Sequence, residues 1–171
     1  MMLKYLSAPL VGIFCLLLVA PTLAGERGGP EEAKAMALHA ANALRSLGTY
    51  AAFEAFQSPG PPFHDRDLYI FVLNRDGIVQ AHGSEPEMAG ENRLDYKDSK
   101  GRAFVREIVA MPDQGWVNYL YNDPLTGKVL PKQTYVVRVG DYVVCVGAYS
   151  EESESEAPPP ARQPSRSLKS R

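Results

Sequence analysis

The stretch GWVNYLYNDPLTGKVLPKQTYVVRVGDYVVCVGAY, residues 115–149, decides the fold. Three runs rich in β-branched and aromatic residues are separated by DPLTG at 123–127 and by Gly140–Asp141, a spacing that predicts three antiparallel strands with short connections. Tyr119, Tyr121, Lys132 and Tyr135 flank the first turn. They suit either a hairpin with amphipathic side chains or a binding wall whose lysine meets an anion. Alternation sharpens the choice. In an unbroken strand Lys132 and Tyr135 point to opposite faces, so both reach one pocket only if Pro131 introduces a bulge.

Upstream, DLYIFVLN, the turn RDG and IVQAHG predict a β-hairpin over Asp67–His82. The loop SEPEMAGEN and the segment YKDSKG follow, then a helix over Arg102–Met111, with Asp98 or Ser99 as cap and Phe104, Ile108 and Met111 inward. Further back, Gly29, Pro30, Glu31 and Glu32 mark a helix start, and Met36, Ala40, Leu44 and Leu47 recur at helical spacing. Gly48 interrupts this helix. TYAAFEAF continues as a second segment with Tyr50, Phe53 and Phe56 on one side, and SPGPP at 58–62 ends helical structure. Helix, two strands, helix and three strands give an α+β domain around one five-stranded antiparallel sheet.

The two ends read differently. Lys4, the apolar run Ala8–Ala20 and the small residues Thr22 and Ala24 predict a secretory signal over residues 1–24, cleaved after Ala24. As an uncleaved inner-membrane anchor the run is short, since a bilayer core of about 30 Å needs about 20 apolar residues. Cleavage removes Cys15 and leaves Cys145 alone, so the mature chain closes no internal disulfide; VVCV reads as a buried run in a periplasmic domain. The domain is expected over 25–150. Residues 151–171, with four acids, a proline run and then four bases, are expected to be disordered, and no second membrane span follows the strands.

With 18 basic and 20 acidic side chains, the chain shows no basic cluster for nucleic acid or lipid. GxSxG, GxxxxGK, HExxH and CxxCH are all absent. His39, His64 and His82 make no local metal set, and HDRD at 64–67 reads as a solvated turn. An enzyme, a cofactor and a metal site are therefore not expected.

The ordered elements LY-F-L-RDG, AH and AGEN, KD-GR-FV, GWV-Y-Y-DP-TGK, PK--YV and VGAY cover nearly all of residues 30–150, and together they resemble the type 2 single Cache domain. That resemblance implies an extracytoplasmic, PAS-like ligand-binding module of the kind carried by bacterial chemoreceptors and histidine kinases. A long N-terminal helix would pack on the sheet, and a small organic acid would lie between the sheet and its covering loop. The positions matching the family's motifs are Lys97, Asp98, Trp116, Tyr119, Tyr121, Lys132, Tyr135 and Tyr149. Lys97, Trp116, Tyr119, Tyr121, Lys132 and Tyr135 form the expected ligand set, with Tyr149 structural. A carboxylate asks for a cation, hydroxyl donors and an apolar wall. Lys132, Tyr121 with Tyr135, and Trp116 would supply them. The implied partners are the acid itself and a membrane receptor or kinase. Met36 and Leu44 would serve a homodimer as readily as the sheet.

Overall fold

The computed structural model describes residues 27–150. The signal expected at 1–24 and the tail expected at 151–171 lie outside the described residues. Helix α1 (Pro30–Gln57) is followed by strands β1 (His64–Asp65), β2 (Leu68–Asn74) and β3 (Val79–His82), and by a 3-10 turn at Pro86–Met88. Helix α2 (Phe104–Ala110) then leads into β4 (Gln114–Asn122), β5 (Val129–Val139) and β6 (Tyr142–Tyr149). The sheet is antiparallel in the order β1-β2-β6-β5-β4, with β3 paired to β2. It has six strands instead of five, because His64 and Asp65 add a two-residue pairing with Tyr69 and Leu68.

Both faces of the central strands are covered, which explains why LYIFVLN and YVVCVGAY read as continuous apolar runs and not as alternating ones. One face packs on α1. There Ala33, Ala37, Ala40, Ala41 and Leu44 meet Leu68, Ile70, Val72, Tyr135, Val137, Val144 and Val146. Four fully buried alanines let the helix lie close on the sheet. The stripe expected from Met36 and Leu47 is thus rotated: Met36 is partly buried and Leu47 is exposed. As expected, Gly48 interrupts α1: its φ of 75° and ψ of 173° are not helical, and two helical segments meet there at a kink. Beyond the bend Ala52 and Phe56 are buried, whereas Tyr50 points outward.

The other face carries α2 and the loop between β3 and α2. Backbone bonds from Val79 to Glu91, Gly90 to Val79 and Arg93 to Gly77 strap the loop along β3. Gly77 is required here. Its φ is 75°, and a Cβ would lie 2.8 Å from the Leu94 Cα. Farther on, Asp98 accepts from Lys100 N and Arg102 N with one oxygen and from Leu120 N of β4 with the other. The loop therefore spans the face from β3 to β4 as a roof. Asp98 caps this turn and not α2, which starts at Phe104, two residues later than expected.

The entry to α1 is held by an ion cluster. Arg27 Nη1 donates to Asp67 at 3.2 Å, and Nη2 donates to Asp123 Oδ2 at 2.9 Å. Gly28 N donates to the other Asp67 oxygen at 2.7 Å. Both carboxylates are buried, and hydrogen bonding to Arg27 holds the Asp123 carboxyl down to about 2. Removing the guanidinium strands two buried charges. Arg27→Ala is expected to lower unfolding free energy by about 3 kcal/mol in urea titrations at neutral pH. A loss under about 1 kcal/mol would mark the cluster as an ordinary surface pair.

Candidate ligand-binding site

The roofed face encloses a cavity of about 40 Å³. Its floor is Lys132, only 2 % exposed, and its walls include Tyr69 and Phe71 of β2, Tyr119 and Tyr121 of β4 and His82 of β3. The roof brings Met88, Arg93, Tyr96 and Phe104. Strand register explains the assembly. Tyr119 pairs with Lys132 and Lys132 with Tyr149, so three neighbouring strands present one row to the same side.

A lysine stem this deep needs room, which Gly147 provides: a Cβ there would fall 2.1 Å from the Lys132 Cε and 2.6 Å from the Thr134 Oγ1. At the head, Nζ donates to the Tyr69 hydroxyl at 2.7 Å and to the Tyr149 hydroxyl at 3.0 Å. Tyr149 spends its own proton on the Asn122 carbonyl at 2.8 Å, so across the 3.2 Å contact between the two phenols Tyr69 is the donor. An ammonium has three N–H groups. Two are used, and the third has no acceptor among the described residues. The rings of Tyr69, Phe71, Tyr121 and Tyr149 surround Nζ with centroids 4.3–5.6 Å away.

Among the described residues no carboxylate pairs with Lys132. Burial without a counter-ion pulls its ammonium down to about 7. Burial, with the charges of Lys132 and Arg93 adding to it, holds His82 down at about 3, and its Nδ1 accepts from Glu85 N at 2.9 Å. Burial raises the phenols of Tyr69, Tyr119, Tyr121 and Tyr149 and the thiol of Cys145, which stay protonated. The Tyr119 hydroxyl is already joined to Thr134 Oγ1 at 2.8 Å, and its ring stacks on Phe104 at 3.8 Å. The Tyr121 hydroxyl forms no hydrogen bond with a described residue and sits at the cavity wall.

Of the residues expected from sequence, the structure brings together Lys132, Tyr119 and Tyr121. Tyr135 lies on the α1 face with Trp116 against it, ring centroids 4.8 Å apart. The β4–β5 register runs without a shift through Pro131, so alternation sends Lys132 and Tyr135 to opposite sides. Lys97 is exposed and borders a separate open groove beside Asp98 and Asn122. Tyr149, read as structural, is buried and accepts from Lys132 Nζ without lining the cavity. Tyr69, His82 and Arg93 were missed; alternation along β2 would have paired Tyr69 with Phe71, but nothing local marks Arg93.

A sheet that gives one face to a helix and keeps the other over a roofed, lysine-floored cavity has the layout of a PAS-like sensor module. The chain belongs to the Single Cache domain 2 family, whose model matches residues 26–159. It is a sensor domain of the kind found in chemotaxis and histidine kinase receptors, a class that senses ligands in signal transduction. It is 29% identical over 93 residues to the sensor histidine kinase MctS of Rhizobium johnstonii, and the match spans 52% of this chain but about a fifth, 20%, of that kinase. Among solved structures, a methyl-accepting chemotaxis protein from Vibrio parahaemolyticus is 24% identical with a TM-score of 0.62, over 70% of this chain and 86% of that one. A periplasmic sensor domain of a chemotaxis protein is 25% identical with a TM-score of 0.53, over 70% and 88%. A Cache chemosensory domain solved for carboxylic acid recognition is 19% identical with a TM-score of 0.58, over 70% and 91%. No helix among the described residues is long and apolar enough to cross a membrane.

Two measurements check this geometry. Gly147→Ala is expected to cost about 1–3 kcal/mol through collision with the lysine stem, read by chemical denaturation. The folded pKa of Lys132 lies below its unfolded value of 10.5, so the unfolded chain binds more protons between about 7 and 10.5. Stability of the ligand-free chain should therefore rise across that window, by at most about 1.4 kcal/mol per pH unit from this group, and flatten below pH 7. Lys132→Met should remove that slope.

Proposed function

We propose that the domain captures a small organic carboxylate in the roofed cavity and presents the occupied state to a membrane-bound receptor or kinase. One observation carries this reading: a buried lysine with no carboxylate paired to it among the described residues, two contacts made to phenol oxygens and its third direction left over at the cavity floor. A carboxylate oxygen completes that valence and supplies the missing charge, whereas a neutral ligand supplies only the hydrogen bond. Tyr121 offers a second donor, and Arg93, whose Nε is paired with Glu91 at 2.8 Å, stands at the roof. Phe71, Met88, Phe104 and the ring of Tyr119 give the apolar wall that selects a short carbon skeleton. At about 40 Å³ the roofed cavity has room for roughly three water-sized groups, which favours acids of few atoms.

The leader read over 1–24 fits delivery of this module to the periplasm by a cleaved signal, where small acids diffuse from the medium. Binding is the whole activity in this reading. His82 is held neutral and engaged, and Cys145 is a buried, protonated thiol, so neither is poised as a base or nucleophile.

The test is a panel of organic acids scored by thermal midpoint. An acid present at about 100 times its dissociation constant should add about 2.7 kcal/mol of stability. Lys132→Ala should abolish the shift, while Trp116→Ala and Tyr135→Phe, on the opposite face, should keep it. A shift that survives Lys132→Ala would place the ligand elsewhere.

A further inference from the structure

Resting on the carboxylate reading above, we infer that the proton is a second ligand of this site: the anion enters together with one H⁺, which Lys132 Nζ takes up, and occupancy follows both concentrations.

The coordination of Nζ carries this. In the roofed cavity without an anion, an ammonium would keep one N–H without an acceptor and would lack any paired carboxylate among the described residues. Phenol oxygens and ring faces do not neutralise it. The amine meets the same surroundings at less cost, since its two N–H groups go to Tyr69 and Tyr149 and its lone pair takes the remaining direction. That lone pair repels an incoming carboxylate. The complex therefore needs the ammonium, and a lysine that was neutral before capture must gain a proton during it.

The groups around Nζ do not supply that proton. From β2 comes Tyr69, from β4 Tyr119 and Tyr121, and from β6 Tyr149 and Cys145, all phenols or a thiol that burial keeps protonated. His82 of β3 is held neutral, with Nδ1 already accepting from Glu85 N. The roof adds Tyr96 and Arg93, the latter paired with Glu91 at 2.8 Å, and Glu85 acts on Lys132 through its charge. Asp67 and Asp123 also act only through their charges and are tied to Arg27. The proton comes from solvent.

The experiment is calorimetric titration of the full chain with the tightest binder among acetate, propionate, lactate, pyruvate and succinate. It is run at about pH 5.5 in MES and in piperazine, and at about pH 8.5 in borate and in Tris, pairs that buffer there and differ in ionisation heat. The dependence of heat on buffer ionisation should show nearly one proton taken up per ligand at the higher pH and nearly none at the lower. The dissociation constant should rise about tenfold per pH unit above neutrality. Lys132→Arg, always charged, should bind with little pH dependence and no uptake. Binding at the higher pH with unchanged affinity and no uptake would overturn the inference and leave the carboxylate reading standing. Absence of binding by every acid at the lower pH would overturn both. Independently of any ligand, ¹⁵N NMR of the lysine side chains in the full chain should show Lys132 titrating near neutrality. A midpoint above about 9.5 would overturn the inference alone.

Discussion

A buried lysine with no carboxylate paired to it among the described residues is the constraint from which the rest of this domain follows. Lys132 is tolerated inside the sheet face because two phenol oxygens, four aromatic rings and the empty space at Gly147 receive it. Each of these depends on something farther out. Tyr149 is oriented by the Asn122 carbonyl, Tyr69 by its bond to Tyr149, and the roof above by straps to β3 and by Asp98 to β4. A leucine at position 132 would pack more cheaply and would ask for none of this. The arrangement makes sense as binding chemistry, held in place by the stability that the other face contributes.

That other face is built differently. Five buried alanines of α1 belong to this layer with Leu68, Ile70 and the valines of the central strands, with few polar groups to satisfy. Tyr135 and Trp116 belong to this layer, where their rings pack against each other at the sheet edge. The two faces share the same strands, alternate residue by alternate residue. A change in register by one residue would exchange the apolar layer for the lysine.

Much of this was legible in the sequence. Strand propensity and turn residues placed the five longer strands, and alternation alone separated Lys132 from Tyr135. Proline at 131 suggested a disturbance that the ladder does not contain, since β4 and β5 stay in register through it. Lys97, Trp116 and Tyr135 were grouped with the lysine because they fall in matching motifs, yet motif position says nothing about which side of a sheet a residue takes. Arg93 and His82 could not be read ahead. They reach the cavity only through the path of an irregular loop and through the pairing of β3 with β2, which no local period encodes. The displaced stripe of α1 has a plainer cause: alanines, unremarkable in a periodic pattern, are what close helix-on-sheet contact requires.

The contact between Gly147 and the stem of Lys132 reaches beyond this one molecule. Two strands contribute one residue each to a single volume, and that volume holds either a long side chain from β5 or a side chain from β6, but not both. Descent within the family is therefore expected to move the two positions as one character. Lineages that keep the lysine are expected to keep glycine at 147, one step along β6 from the residue paired with it on the same face, and a methyl or more at 147 is expected to go with a shorter residue at 132. Drift at a position that never touches a ligand then becomes a record of when a site of this kind was gained or abandoned.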